Sequence, residues 1–337
     1  QDLDEPITEI NINTPSIEFE NVTKEYVGVQ TKTVALDNVS LSIAQGEFIV
    51  AIGPNGSGKS TLISSIIGEI SLNSGIIKLY GNQLHNDFDE LMYPILGITF
   101  QENVLFDQLT TKEHFELFGR LCNYSDYTIF EKMEYFMDIL KIKEYENSLA
   151  GNLSGGTKRK LCISLALLKN PPIIILDEPT SGVDAQSRQL IWTLASTFRN
   201  STVFITTHSV QESESVSSRL LVMSKGKIAF IGTPSELRER YLCCYYLSIV
   251  NDGYVDMKHV VDCLNQFVQM EGTIQLHPDH PFTLLIPNNL YVADVLKYIE
   301  THKQTLGIEK YVIHLENLEE TMKKIIENDE ATMNHRY

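Results

Sequence analysis

The sequence predicts an α/β domain followed by a small α+β domain, and three observations support this. Several runs of β-branched and aliphatic residues end at polar residues, as buried strands of a largely parallel sheet do; the clearest are 48–52, 173–176 and 203–206. A glycine-rich loop joins the first of these runs to a helical pattern. From Tyr245 onward, short strands and helices alternate differently, which indicates a second domain.

Length and charge limit the possible functions. At 337 residues the chain is long enough for two domains, each with its own core. Lys and Arg total 27 against 44 Asp and Glu, giving a formal net charge of −17 that repels phosphate backbones. We therefore expect no nucleic-acid partner. No apolar run approaches the ~20 residues of a membrane-spanning helix, and no signal peptide is present.

The spacing of the five cysteines predicts no metal or disulfide site. They show no C-x-x-C spacing, so the sequence predicts neither a zinc site nor a disulfide framework, and a reducing cytosol suits them.

The first motif is GPNGSGKST, from Gly53 to Thr61, between an apolar strand and a helix. Glycines allow backbone N–H groups to close around a phosphate chain, Lys59 can reach the β- and γ-phosphates, and the Ser60 hydroxyl can bind Mg²⁺. A chance match is the alternative, but the strand and helix on either side argue against it. The motif predicts a nucleoside triphosphate site that includes Gly53, Pro54, Asn55, Gly56, Ser57, Gly58, Lys59, Ser60 and Thr61.

The second motif is an apolar run that ends in two carboxylates, Asp177 and Glu178. Unpaired buried charges are costly, so a cation is expected nearby. Asp177 then fits a Mg²⁺ ligand that acts with Ser60, and Glu178 fits a general base that activates a water toward the γ-phosphate. An acidic turn without a catalytic role is the alternative.

The third motif is LSGG at 153–156. Ser154 occupies the N-cap position of a predicted helix, and Gly155 and Gly156 leave room for a phosphate at the positive helix end. By itself this string is a weak signal.

Together these motifs resemble the nucleotide-binding domain of an ATP-binding cassette (ABC) transporter. The order matches throughout: GPNGSGKST as Walker A, Gln101 in the Q-loop, LSGG as the signature, IIILDE as Walker B, a D-loop, and His208 as the switch histidine. The resemblance implies a P-loop NTPase fold with a mixed sheet core, an antiparallel β edge and a helical insertion. It also implies that ATP and Mg²⁺ are the cofactors. The remaining implied site residues are Tyr26 stacking on adenine, Gln101 at the metal, and Ser181 and Asp184 in the D-loop.

An ordinary edge-strand tyrosine is the alternative for Tyr26, since aromatic residues are common on strands. His208 follows the strand 202–207, so its ring is predicted to emerge at the carboxyl end of a strand, where ligands of open α/β sheets bind.

Two segments are similar to the A subfamily of these transporters, which is associated with lipids. They are 101–110 with the Glu113-His114 pair after it, and LSGGTKRKL. The chain departs from the common pattern at Thr157, where many cassettes have Gln and this subfamily often has Met, and in having GPNG rather than GHNG.

The predicted domains run as follows. A flexible acidic leader (1–15) precedes the cassette (16–240), whose helical insertion spans about 91–170, with Leu117, Phe118, Leu121, Phe136, Ile139 and Leu140 expected in the core. Trp192 is also expected in the core. Residues 241–326 read as βαββαβ, a ferredoxin-like unit that resembles the regulatory domain behind A-subfamily cassettes, and 327–337 form a tail. An inert appendage is the alternative for this unit.

The resemblance implies a two-site clamp on the cytoplasmic face of a membrane. Each cassette would supply Walker A, Walker B, Gln101 and His208, while the opposite cassette supplies Ser154, Gly155 and Gly156. The membrane-spanning domains would lie outside this chain, and the cargo would be lipid-like. A soluble non-transport ATPase and a cassette that binds ATP without hydrolysing it are the alternatives.

Overall fold

The computed structural model describes residues 14–28, 31–84, 94–208, 216–241, 244–250, 255–269, 273–287, 290, 292–315, 321–322 and 325. The predicted leader (1–13 of it) and tail (327–337) lie outside these residues. Contacts within the chain divide it into two units, Gln1–Pro234 and Ser235–Tyr337. That division falls six residues before the predicted boundary at 240/241, and each unit is described separately below.

The first unit contains an antiparallel sheet whose described strands have the order β2-β1-β4-β5. Long strands form here because apolar residues alternate with polar ones, so that one face is buried: Ile17, Phe19 and Val22 point inward on β1. The apolar pattern of the sequence predicts edge strands at 16–22 and 41–43, and in the structure both are parts of longer strands, the first of which begins at Ile17. The strands are β1 (Ile17–Val27), β2 (Lys32–Ile43), β4 (Ser74–Leu79) and β5 (Asn82–Gln83).

A second sheet of the first unit is mostly parallel, with described strands in the order β10-β9-β3-β8-β7-β6. The central strands are buried on both faces, which explains their unbroken apolar sequences. Only β10 pairs antiparallel, with β9. The strands are β3 (Phe48–Ile52), β6 (Leu96–Thr99), β7 (Ile173–Asp177), β8 (Thr202–Thr207), β9 (Arg219–Ser224) and β10 (Lys227–Gly232).

Strand β6 corrects the predicted start of the helical insertion at about 91. Residues 96–99 pair in parallel register with β7 and belong to the core sheet, so the insertion begins after them. The sequence hid this strand because Gly97 has low strand propensity. In the fold Gly97 is required, since a Cβ at that position would lie 2.4 Å from the Ala166 carbonyl oxygen.

Five helices belong to the first unit: α1 (Lys59–Ile66), α2 (Thr111–Leu121), α3 (Asp126–Ile139), α4 (Gly155–Leu167) and α5 (Ala185–Thr197), counted among the described residues. Helix α1 contributes Leu62, Ile63 and Ile66 to one hydrophobic core that also takes side chains from both sheets. Trp192 on α5 is buried, as predicted. None of the helices in the described ranges is long and apolar enough to span a bilayer.

The buried face of α2 differs from the predicted one. Leu121 is 70% exposed and Leu117 is 36% exposed, whereas Phe115 and Gly119 are buried. Helix α3 approaches α2 closely at Gly119, where a Cβ would meet Ile129 at 2.5 Å. A close contact at a glycine does not appear in the pattern of hydrophobic residues. The leucines at helical spacing therefore predicted the wrong buried face. On α3 the expectation holds for Phe136 and for the following Leu140.

The second unit is an antiparallel sheet with helices, and its described strands have the order β12-β13-β11-β14. Read along the chain, this is the βαββαβ order of a ferredoxin-like unit, as predicted. Leu247, Val260, Leu284 and Ile299 are fully buried in its core. The elements are α6 (Pro234–Tyr241), which begins at the last residue of the first unit, β11 (Cys244–Val250), α7 (Met257–Val268), β12 (Gln275–Leu276), β13 (Thr283–Pro287), α8 (Val292–Thr301), α9 (Lys303–Leu306) and β14 (Lys310–Leu315).

Candidate active site

The glycine loop between β3 and α1 has a backbone that other residues could not adopt. Gly58 has φ +108°, and a Cβ there would lie 2.4 Å from the Ala35 carbonyl oxygen. Gly53 is equally restricted, because a Cβ would lie 2.4 Å from the carbonyl oxygen of Met223. The loop therefore packs backbone against backbone and brings its N–H groups to the start of α1. This is the arrangement that binds phosphate at a helix N-terminus.

Lys59 is the buried cation of the loop. Its ammonium group donates hydrogen bonds to the carbonyl oxygens of Gly53 (2.8 Å) and Pro54 (3.2 Å). Burial lowers the pKa of Lys59, while the carboxylates of Glu178 and Asp177 act in the opposite direction. Carbonyl ligands hold the ammonium within the loop, so a phosphate oxygen could replace them without any movement of the backbone.

The two carboxylates at the end of β7 lie in different environments. Asp177 accepts a hydrogen bond from the Thr206 hydroxyl on β8, and that hydroxyl in turn accepts the backbone N–H of Glu178 at 2.9 Å. Glu178 has φ +48°, a left-handed conformation that costs energy for a residue with a side chain. Strain of this kind is concentrated at functional sites.

Glu178 and His208 face each other. The distance from His208 Nε2 to Glu178 Oε1 is 3.0 Å, and the imidazole is half exposed while the carboxylate is buried. No aligned hydrogen bond reaches Glu178 Oε1 from the described part of the chain. Burial raises the pKa of Glu178, an effect opposed by His208 and Lys59 and reinforced by Asp177. A carboxylate with a raised pKa and a free oxygen is suited to accept a proton.

These groups line one cavity of about 300 Å³. It unites five separate segments of sequence: Thr33 with Ala35 on β2, and four segments that follow parallel strands, namely the glycine loop with Lys59, Gln101, Glu178 and His208. Parallel strands with a common direction explain this, because their carboxyl ends meet at one edge of the sheet. The lining residues are Thr33, Ala35, Asn55, Gly56, Gly58, Lys59, Ser60, Thr61, Gln101, Glu178 and His208.

Some predicted residues lie outside this lining. Tyr26 is 44% exposed and is the register partner of Thr33, which does line the cavity. Lys24 lies over the Tyr26 ring, 5.1 Å from its centroid. Asp177 and Ser57 are buried beneath the cavity; the Ser57 hydroxyl has no hydrogen-bond partner in the described structure.

The signature residues line a different cavity, of about 410 Å³. Ser154 caps α4 by accepting the backbone N–H of Thr157 at 3.2 Å, and Asp184 caps α5 by accepting that of Ser187 at 2.9 Å. Ser154, Gly156 and Asp184 line this cavity together with Lys160. The backbone N–H of Ser181 donates a hydrogen bond to the Glu178 carbonyl oxygen at 3.1 Å, which closes a turn. In the described structure the two cavities share no lining residue.

The sequence interpretation missed two residues that the site uses. Thr206 links Asp177 to Glu178, but in the sequence it is one of three threonines in the strand Thr202–Thr207, and nothing there distinguishes it. Arg159, inside the basic run after the signature, is buried and donates to carbonyl oxygens around the site. A basic residue beside other basic residues gives no sign that it will be buried.

Comparison with known proteins agrees with this geometry. Residues 36–181 match the family described as ABC transporter. The chain is 30% identical over 338 residues to ABC transporter A family member 4 of Dictyostelium discoideum, an alignment that covers 97% of this chain and 21% of that protein. It is 29% identical over 340 residues to the cholesterol transporter ABCA5 of Rattus norvegicus, covering 95% of this chain and 20% of that protein. The chain thus spans about a fifth of the length of these relatives.

Among solved structures, the chain is similar to a dimeric cassette in a post-hydrolysis state bound to ADP and Pi. The TM-score is 0.59 at 28% identity, and the alignment covers 64% of this chain and 98% of that one. The Walker A loop, the paired carboxylates, the signature helix and the family match lead to one conclusion. This chain belongs to the ABC transporter family, and the relatives that it matches include members of the A subfamily.

Proposed function

We propose that this cassette is the motor domain of a membrane transporter, located at the cytoplasmic face of the membrane, and that it works by pairing with a second cassette. The observation that carries the proposal is the separation of the two phosphate-binding elements. Lys59, Gln101, Glu178 and His208 share one cavity, whereas Ser154 lines another. A signature that cannot reach the nucleotide of its own chain is available to that of a partner.

In the nucleotide cavity each residue has a proposed task. Lys59 binds the β- and γ-phosphates, the backbone N–H groups from Gly53 to Thr61 surround the phosphate chain, and Tyr26 stacks on the adenine. Ser60, Asp177 and Gln101 would hold Mg²⁺ through oxygen atoms, the ligands that this hard cation prefers. Glu178 Oε1, which receives no aligned hydrogen bond from the described residues, fits a polar ligand in this cavity.

The proton transfer falls to Glu178. Its raised pKa makes the carboxylate more basic, and its free oxygen can accept the proton of a water that attacks the γ-phosphate. His208, 3.0 Å away, orients this carboxylate and can donate a hydrogen bond toward the phosphate. The Thr206 hydroxyl contacts the Asp177 carboxylate and the backbone N–H of Glu178, which fixes the chain at this pair, while Asp177 would serve the metal and Glu178 the water.

On the other face, Ser154, Gly155 and Gly156 would bind the γ-phosphate held by the partner, with Ser181 and Asp184 of the D-loop beside them. The positive end of α4 supports a phosphate there. Hydrolysis then removes contacts that hold the pair together, which shifts the pair between two arrangements.

The cargo and the membrane partner rest on the relatives. They extend well beyond the part that this chain matches, and one of them is a cholesterol transporter. We therefore propose that membrane-spanning domains complete the transporter, that the cargo is lipid-like, and that the ferredoxin-like unit is regulatory.

Complementation between two inactive variants tests the pairing. The Lys59→Ala variant should lose nucleotide binding in its own cavity but keep a working signature. The Ser154→Arg variant should keep nucleotide binding but lose the working signature. Each is expected to be inactive alone, and an equimolar mixture should recover ATPase activity, because each mixed pair contains one complete site. A mixture of Lys59→Ala with Glu178→Gln is the matched control and should stay inactive, since neither chain offers a working nucleotide cavity. Absence of recovery in the first mixture would contradict the pairing.

A further inference from the structure

Arg159 is a buried cation that the proposed chemistry does not use. It is 2% exposed and lies on α4, one turn after the signature serine. Its guanidinium donates to the carbonyl oxygens of Phe100 and Gln101 on one side, the latter at 3.4 Å. On the other side it donates to the carbonyl oxygens of Asp177 and, at 3.2 Å, Pro179.

These acceptors belong to two of the segments that form the nucleotide cavity or lie next to it. Gln101 lines that cavity, and Asp177 immediately precedes the proposed base. A planar guanidinium with five donors can serve several carbonyls in different directions at once, which a lysine ammonium cannot do from the same position. Burying a charge without a carboxylate partner is costly, so its retention here indicates that the fixed geometry matters.

More exposed contacts also connect the segment after Gln101 with the region around the start of α4. The Asn103 amide donates to the Gly155 carbonyl at 3.3 Å, and Lys158 lies 3.4 Å from the Asp107 carboxylate. Further along, the Gly151 N–H donates to the Asp107 carbonyl at 3.1 Å. The segment that follows Gln101 is therefore attached to the beginning of α4 at several points, and Arg159 is the buried one.

From these contacts we infer that Arg159 is a positioning residue that joins the Gln101 loop, the end of β7 and the signature helix into one body. A ligand that engages the Gln101 side chain would then also set the position of Ser154. This inference rests on the proposed role of the signature, but the coupling itself exists within a single chain.

The test is hydrogen exchange of the whole chain at concentrations where sedimentation shows monomer, with and without Mg-ATP. In the parent, Mg-ATP should slow exchange in the glycine loop and also at the start of α4 (residues 153–158). In Arg159→Lys the glycine loop should still respond, while the response at 153–158 is lost. Arg120→Lys is the matched control, because Arg120 is exposed and pairs only with the exposed Asp126 among the described residues; it should behave like the parent.

A second measurement separates positioning from loss of stability. If Arg159→Lys merely loosens the fold, both regions should exchange faster without nucleotide, and Asn103→Ala, which removes an exposed link, should have no effect. If Arg159 positions, turnover should fall about tenfold or more while the KM for ATP stays within about threefold, since a hydrogen bond to a charged group contributes on this scale. Asn103→Ala should then reduce the response at 153–158 in part.

An unchanged response at 153–158 in Arg159→Lys would overturn the inference. Failure of the parent to pair with Mg-ATP would instead contradict the two-cassette mechanism and leave the monomer result to be judged by itself. The two outcomes are distinguishable because exchange is measured below the pairing concentration.

Discussion

The two phosphate-binding faces of the cassette are built in opposite ways. The nucleotide cavity draws on five segments between Thr33 and His208, includes Glu178 Oε1, which receives no aligned hydrogen bond from the described residues, and holds Glu178 at φ +48°. The signature cavity is formed around two helix starts whose caps, Ser154 and Asp184, are satisfied within the chain.

The difference shows that the two faces differ in how many unsatisfied or strained groups they contain. Unpartnered groups and strain cost stability and persist where chemistry needs them prepared in advance. A face that only has to contact another molecule can be satisfied before that molecule arrives. The nucleotide cavity therefore carries the marks of an active site, and the signature face carries those of an interface.

The largest expected effect comes from changing Glu178, the proposed base of the nucleotide cavity. Glu178→Gln keeps the size of the side chain but removes the basic oxygen, so turnover should fall by a factor of about 10² to 10⁴. Mg-ATP binding should survive, and ATP-bound pairs should accumulate. The measurement is the ATPase rate beside Mg²⁺-dependent nucleotide affinity.

Asp177→Asn is the control for that change. An amide is a poorer ligand than a carboxylate for Mg²⁺, so this variant should lose metal affinity and should not accumulate pairs. Near-normal turnover in Glu178→Gln would contradict the assignment of the base and favour a cassette in which hydrolysis has another origin.

The next effect concerns the cations of the two faces. Lys59→Ala removes the buried ammonium beside the glycine loop and should weaken ATP binding by about 10- to 100-fold, the scale of a charge-assisted hydrogen bond. Lys158→Ala removes a cation from the signature helix and should leave binding to the monomer unchanged. Titration of a fluorescent ATP analogue measures both, and equal losses would show that the two faces are not distinct.

A third prediction separates binding from pairing. Ser154→Arg places a bulky cation at the start of α4, so ATP-driven pairing in a Glu178→Gln background should be lost while ATP affinity of the monomer stays within about threefold of the parent. Sedimentation with Mg-ATP reports the pairing. Ser125→Arg changes the cap of α3, outside both cavities, and should still pair. Pairing of the Ser154→Arg protein would refute the role of the signature in a partner's site.

The smallest effect uses two caps with the same geometry. Ser125 and Ser154 each accept the backbone N–H of the threonine three residues later at 3.2 Å. In each case the serine hydroxyl also contacts the hydroxyl of that same threonine. Removing either cap with alanine should lower the free energy of unfolding by about 1 kcal/mol. Only Ser154→Ala should also weaken pairing. Denaturant titration and sedimentation together distinguish the structural part of the effect from the functional part.

The sequence predicted the central strands well because burial on both faces leaves unbroken apolar runs. Strand 48–52 has the predicted bounds, and β7 and β8 agree to within a residue or two. It failed where packing depends on glycine. The strand around Gly97 and the buried face of α2 at Gly119 are set by close approach of a neighbouring helix, which a hydrophobic pattern does not record.

For the site, the sequence by itself determined the residue types and their order. A glycine loop with its lysine, a carboxylate pair at a strand end, and a histidine after the next strand are local features, and their positions followed from strand ends alone. Which residues meet was decided by the tertiary structure, because only the parallel arrangement of β3, β7 and β8 brings Lys59, Glu178 and His208 to one edge. The same packing buried Arg159 among backbone carbonyls and placed the Thr206 hydroxyl between the Asp177 carboxylate and the backbone N–H of Glu178. Hydrogen bonds between distant segments decide such roles, and they leave no trace in the spacing of the residues that make them.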